Sequence, residues 1–165
     1  MTRSTGRQFR AGNPTSPSQS NRADVSRYLL TVALAITAQQ CWAVLCSFTA
    51  TGVAFGGYDV FSNQSLDSTG NISVTCDVSA PYSISLSTGG GSYASRAMSS
   101  GGHTLNYNLY TDATRTVVWG DGTGSTAVIN ASGLTGSHTV YGRIPARQNI
   151  NVGVYGDIIT VTLTF

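Results

Sequence analysis

The chain has 165 residues, with nine arginines and no lysine, and seven aspartates and no glutamate. Five of the arginines precede residue 28, so the chain beyond residue 43 carries four arginines against six aspartates, a net charge of −2. That surface has no basic stripe, which argues against nucleic acid or an anionic membrane as partner. Without Lys and Glu, and rich in Thr, Val, Ser, Gly and Tyr, the chain reads as all-β.

Residues 28–38 (YLLTVALAITA) are uncharged and apolar, follow Arg22 and Arg27, and lead to Cys41-Trp42-Ala43. A basic n-region, a short h-region and an A-x-A-like exit make a secretory signal peptide. A membrane span needs roughly 20 apolar residues, so this run predicts no stable insertion after cleavage. Residues 1–43 are assigned to the signal and 44–165 to a single domain. Residues 1–24 read either as a genuine long n-region or as a start-site artefact ahead of a start at Val25. Cys41 leaves with the signal, and an exported chain retaining only Cys46 and Cys76 is expected to pair them.

Strand signals follow in chain order as period-2 alternation between Gly, Ser, Asn and Asp clusters. Cys46, Phe48 and Ala50 begin the first, and Ile72, Val74 and Cys76 mark the second. Pro81 is expected to break the ladder before Tyr82, Ile84 and Leu86. Residues 88–102, with Gly89–Gly91 and Gly101–Gly102, read as a loop. Further strands are expected at Leu105–Leu109, Val117–Trp119, Ala127–Ile129 and His138–Ile144. The last is Ile159, Val161, Leu163 and Phe165 alternating with threonines. Seven or eight short strands with regular turns predict an antiparallel sandwich, and the absence of βαβ alternation argues against a parallel sheet.

The residues Cys46 to Gly56 (CSFTATGVAFG) with Tyr58-Asp59, and Leu66 to Cys76 (LDSTGNISVTC), resemble the spore coat protein U domain family. The same holds for Leu105–Tyr110 with Asp112, the Trp119-Gly120-Asp121-Gly122 turn, Val140–Ile144 with Gln148, and Tyr155–Phe165. The resemblance covers essentially all of residues 46–165. It implies an immunoglobulin-like antiparallel β-sandwich that lacks its last strand and is completed by strand donation. It also implies the role of a secreted coat protein or a subunit of archaic chaperone–usher pili. The implied partners are a periplasmic pilus-type chaperone, an usher and neighbouring subunits. The implied route is through the periplasm to the cell surface.

On that reading Ile159, Val161, Leu163 and Phe165 are the strand-pairing residues, and residues 158–165 border the acceptor groove. One departure stands out. With cleavage after Ala43, only Val44 and Leu45 precede Cys46, where a polymerising pilin carries a donor strand. The chain is therefore expected to accept a strand rather than donate one, as a terminal or accessory subunit would.

Other candidate chemistry reads as structural. His103 and His138 could serve catalysis only beside Asp112 or Asp157 and a serine, and no nucleophile motif accompanies them. Asp121 lacks the neighbouring carboxylates of a calcium loop, and Gly89–Gly91 lacks the helix and lysine of a phosphate cradle. Tyr107, Tyr110, Tyr141 and Tyr155 with Trp119 read as core and corner packing, with an aromatic carbohydrate platform as the other reading. The chain is thus expected to be no enzyme, to hold no metal or cofactor, and to be a structural subunit. The alternative is a monomeric secreted binding module, carbohydrate-directed, which a complete fold without a chaperone would favour.

Overall fold

The computed structural model describes residues 43–165, and the predicted leader up to Trp42 lies outside the described residues. The strands are β1 (Cys46–Thr51), β2 (Leu66–Leu86), β3 (Arg96–Ser100), β4 (His103–Tyr110), β5 (Ile129–Ile144) and β6 (Val161–Thr164), and no helix occurs among the described residues. All strand pairings are antiparallel, in the order β1-β2-β5-β4-β3, with β6 on β2. The class is all-β, and a curled sheet supplies both layers around the core.

Two long strands make the curl. β2 pairs with β5 over residues 66–75 and again over 80–84, with a register shift between Thr75 and Ala80. The residues anticipated as separate strands on either side of Pro81 therefore belong to one strand of 21 residues. Pro81 is tolerated because β1 stops at Cys76 and β6 begins at Ser83, leaving the stretch around it with β5 as its strand partner; a proline's missing N–H costs least where a ladder is open. The bulge bends the sheet over the core.

Likewise β5 runs from Ile129, the end of the expected Ala127–Ile129 strand, through His138–Ile144, while Ala127 makes only an isolated bridge. Val117–Trp119 forms only isolated bridges, and the supposed loop 88–102 contains β3. β3 escaped notice because its inward residues are Arg96 and Met98, and an arginine at an inward position hides the alternation.

Ile72, Val74, Ile84, Leu86, Leu105, Leu109, Val140 and Ile144 form the core with Trp119, whose indole N–H donates to the Ile84 carbonyl at 3.0 Å. Burying each large aliphatic side chain contributes about 1.5–3 kcal/mol. Arg96 is fully buried. Its Nε and Nη2 donate to the Ser87 carbonyl, Nη2 to that of Trp119, Nη1 to Asn108 Oδ1, and its guanidinium lies 5.4 Å from the Tyr93 ring centre. Burial lowers its pKa, and it remains a cation satisfied by carbonyls.

On the face turned away from this core, β1, β2 and β5 align their outward residues in registered rows: Ser47–Thr75–Thr135, Thr49–Ser73–Ser137 and Thr51–Asn71–Thr139. The next row is Thr69–Tyr141–Tyr110, where β4 replaces β1.

Candidate strand-binding groove

The interior opens to solvent along one side. The slit lies between Ala50–Phe55, where the chain leaves β1, and Tyr155–Val161, where it enters β6. Its floor is Ile72, Leu86, Met98, Tyr107, Leu109 and Val140, and it encloses about 300 Å³. It continues into a wider cleft of about 640 Å³ between residues 53–61 and 150–155, and the two share Val53, Phe55, Met98 and Tyr155.

Each wall is built from a strand edge. β1 and β6 lie along the same edge of β2, β1 on residues 71–76 and β6 on 83–86. Their outer edges have no ladder partner among the described residues. The inward side chains of β1 show what is missing. Phe48 and Ala50 stand directly opposite Val74 and Ile72, which are 1% and 2% exposed. Yet Phe48 is 39% exposed, and Ala50 is exposed too. An inward phenylalanine left this open leaves part of the inner face of β1 uncovered.

The walls are fastened by specific contacts. Cys46 and Cys76 are direct cross-strand partners with their sulfurs 2.03 Å apart, tying the start of β1 to β2. The Leu45 N–H donates to Asp77 Oδ1, and the Asp77 N–H donates to the Leu45 carbonyl. Beyond β1, Val53 and Phe55 fold inward over Gly142, where a Cβ would lie 2.7 Å from both side chains, and Phe55 meets Tyr107 edge-to-face at 6.0 Å. Tyr58 donates to the Pro145 carbonyl and accepts from the Gln148 N–H, both at 2.8 Å.

The opposite wall hangs on Asp157. Its carboxylate accepts from the Gly90 N–H, the Ile158 N–H and the Tyr107 hydroxyl. Burial, followed by that carboxylate, raises the Tyr107 pKa, so the phenol keeps its proton and stays a donor. Gly89, at φ 59°, has no room for a Cβ because Asp157 and Ile159 crowd it.

Of the four residues expected to pair with a strand, Ile159 and Val161 line the slit. Leu163 packs against the core within β6, and Phe165, half exposed, follows the last paired residue. Sequence reading missed Val53, Phe55, Met98 and Asp157 as groove residues. The glycine at the inward position 142 of β5 was the available sign that something large packs over it.

The residues weighed for catalysis or metal binding make the following contacts. His103 meets Asn151, and His138 meets the Tyr82 hydroxyl at 2.9 Å. Asp112 is wrapped by Thr114, Thr116 and the Val117 N–H, which hold its carboxyl far below the usual range. Asp121 closes its turn by accepting from Thr123. No cluster of three metal-ligating side chains occurs among the described residues. The aromatic residues divide: Tyr107 and Trp119 are buried, Tyr155 lines the groove, and Tyr110 and Tyr141 stand side by side on the outer face.

Fold and groove together define an all-β domain with an open, strand-shaped slot in its core. The Spore Coat Protein U domain matches residues 29–162, and the chain belongs to that family. Protein U of Myxococcus xanthus is 36% identical over 125 residues, covering 67% of this chain and 70% of that protein. Among solved structures, the fold is similar to the CsuC–CsuE chaperone–tip adhesion subunit pre-assembly complex from archaic chaperone-usher Csu pili of Acinetobacter baumannii. The TM-score there is 0.52 at 24% identity, over 74% of this chain and 40% of that one. No helix among the described residues is long and apolar enough to cross a membrane.

Proposed function

We propose that this chain is an exported structural subunit of a fimbrial or coat-like surface assembly, and that its groove takes up a β-strand from a partner. The observation that carries the reading is the uncovered inward side of β1 beside two unpaired strand edges. A strand laid in the slot would pair its backbone with β1 on one side and the C-terminal segment on the other. Its alternate side chains would bury against Leu86, Met98, Leu109 and Val140. Backbone pairing supplies affinity, and the alternating pockets supply selection. The partners are a periplasmic chaperone first, then an usher and a neighbouring subunit. Membership of the coat-protein family supports the role, and the slot's shape supports the mode of assembly.

The test is periplasmic expression with and without a pilus-type chaperone. With the chaperone, a one-to-one complex is expected, and removing residues 158–165 abolishes it. A stable monomer obtained alone, unfolding cooperatively, would mean that the fold is complete, and would favour the secreted binding module instead.

A further inference from the structure

The outer face of β1, β2 and β5 touches the groove only at Thr51, which borders the slit, and its composition is uniform. Three registered rows consist wholly of Ser, Thr and Asn, all exposed except the half-buried Asn71. Neighbouring hydroxyl positions lie about 4.8 Å apart across strands and about 6.8 Å apart along them. The Asn71 amide donates to Ser137 at 2.8 Å, and Thr51 Oγ1 accepts from the Asn71 N–H, so part of the grid is held in place. The fourth row adds Tyr141 and Tyr110, paired across β5 and β4. The Arg115 guanidinium lies 5.8 Å from the Tyr141 ring centre, and Asp67 is shared between Arg143 and Arg115.

Chemical exclusion narrows the partner. The three rows carry no charge, so they offer no electrostatic attraction to phosphate, sulfate or carboxylate polymers. They carry no large apolar side chain, so an apolar partner gains nothing there. Each hydroxyl both donates and accepts, and water competes for every bond, leaving about 0.5–1.5 kcal/mol net per contact. An extended, uncharged partner that is itself a string of hydroxyls matches this repeat and can engage many such sites at once. The path along β5 from Thr135 to Tyr141 spans about 20 Å, room for several sugar residues. It ends on the two tyrosines, whose rings suit sugar C–H faces.

We infer that the outer face of β1, β2 and β5 is a binding surface for an uncharged polysaccharide chain, with the hydroxyl rows as its bed and Tyr110 and Tyr141 at one end. The inference goes beyond the groove reading and stands apart from it, because the groove opens on the inner face.

Native gel electrophoresis of the exported protein, with its chaperone if that is how it purifies, through gels cast with dextran, galactomannan, mixed-linkage β-glucan or anionic hyaluronan tests it. Retardation by at least one neutral polymer is expected, and none by hyaluronan. Ser73→Asp, Thr139→Asp and Tyr141→Ala should each weaken the retardation at least tenfold, while Asp121→Asn on a distant turn leaves it intact. Unchanged thermal unfolding and unchanged chaperone capture show that these variants fold and keep the groove. No retardation in any neutral gel, retardation by hyaluronan alone, or equal retardation of every variant overturns the inference. So does self-association in polymer-free buffer that the same substitutions abolish, which would make a second copy the partner.

Discussion

The Tyr107 hydroxyl donates to Asp157 Oδ2 at 2.6 Å, joining the groove floor to the wall that leads into β6. The same carboxylate takes the Gly90 and Ile158 amides. One side chain thereby positions the C-terminal edge on which the proposed strand pairing would depend. Asp157→Ala should cost about 2–3 kcal/mol, since three donors lose an acceptor in a partly buried place. Urea unfolding of the chaperone-bound or donor-filled protein gives the magnitude. Hydrogen exchange should show faster amides at 155–161 while those of β5 are unchanged.

Arg96 makes a second test. Replacing it with Met leaves the Ser87 and Trp119 carbonyls and the Asn108 amide without their shared donor. A loss of about 3–5 kcal/mol is expected by chemical denaturation. Arg96→Lys should recover little of it, because one ammonium cannot reproduce the forked geometry. Full rescue by lysine would show that charge alone matters at this site.

Gly142 and Phe55 form a complementary pair. Gly142→Val overfills the space under Phe55 and Val53 and should destabilise by about 1–3 kcal/mol. Combining it with Phe55→Ala should return part of that loss. Strict additivity in the double-mutant cycle would show that the two do not press on each other.

His138 predicts the acid limb of stability. Burial lowers its pKa from the ordinary 6.5. The unfolded chain therefore holds the proton more tightly than the folded one, so stability is full above 6.5 and falls as pH drops toward the folded value. Asp67, lowered first by its hydrogen bonds to Arg143 and then by the charge of Arg115, loses its contribution only below the ordinary 3.8. His138→Gln should flatten the decline just below pH 6.5 in a series of thermal unfolding curves and leave the steeper fall below pH 4 unchanged.

The cysteine pair and the leader are settled by one measurement. Intact mass of the exported protein should match residues 44–165 less two hydrogens, with no thiol titratable after unfolding without reductant. Cys46→Ser should cost about 2–5 kcal/mol and should loosen β1, whose other residues are exposed.

Much of this protein was legible in its sequence. Period-2 alternation at Ile72, Val74 and Cys76, and again at Leu105, Tyr107 and Leu109, specifies strands because burial on one face of a pleat repeats every second residue. The charge balance and the missing lysine and glutamate followed directly from counting. The groove did not. Ile159 and Val161 are apolar alternating residues like any others until the register puts β1 and β6 on one edge of β2 with a slot between them. In the sequence Asp157 reads only as a candidate catalytic partner for a histidine, and its groove role is hidden because its partners are 50 and 67 positions away. The joining of short segments into β2 and β5, and the burial of Arg96, were likewise decided by tertiary packing. A strand is extended, or an arginine enclosed, only when distant chain supplies the ladder partner or the carbonyls. Local composition determined which residues face inward; long-range pairing decided what, at β1, was left uncovered.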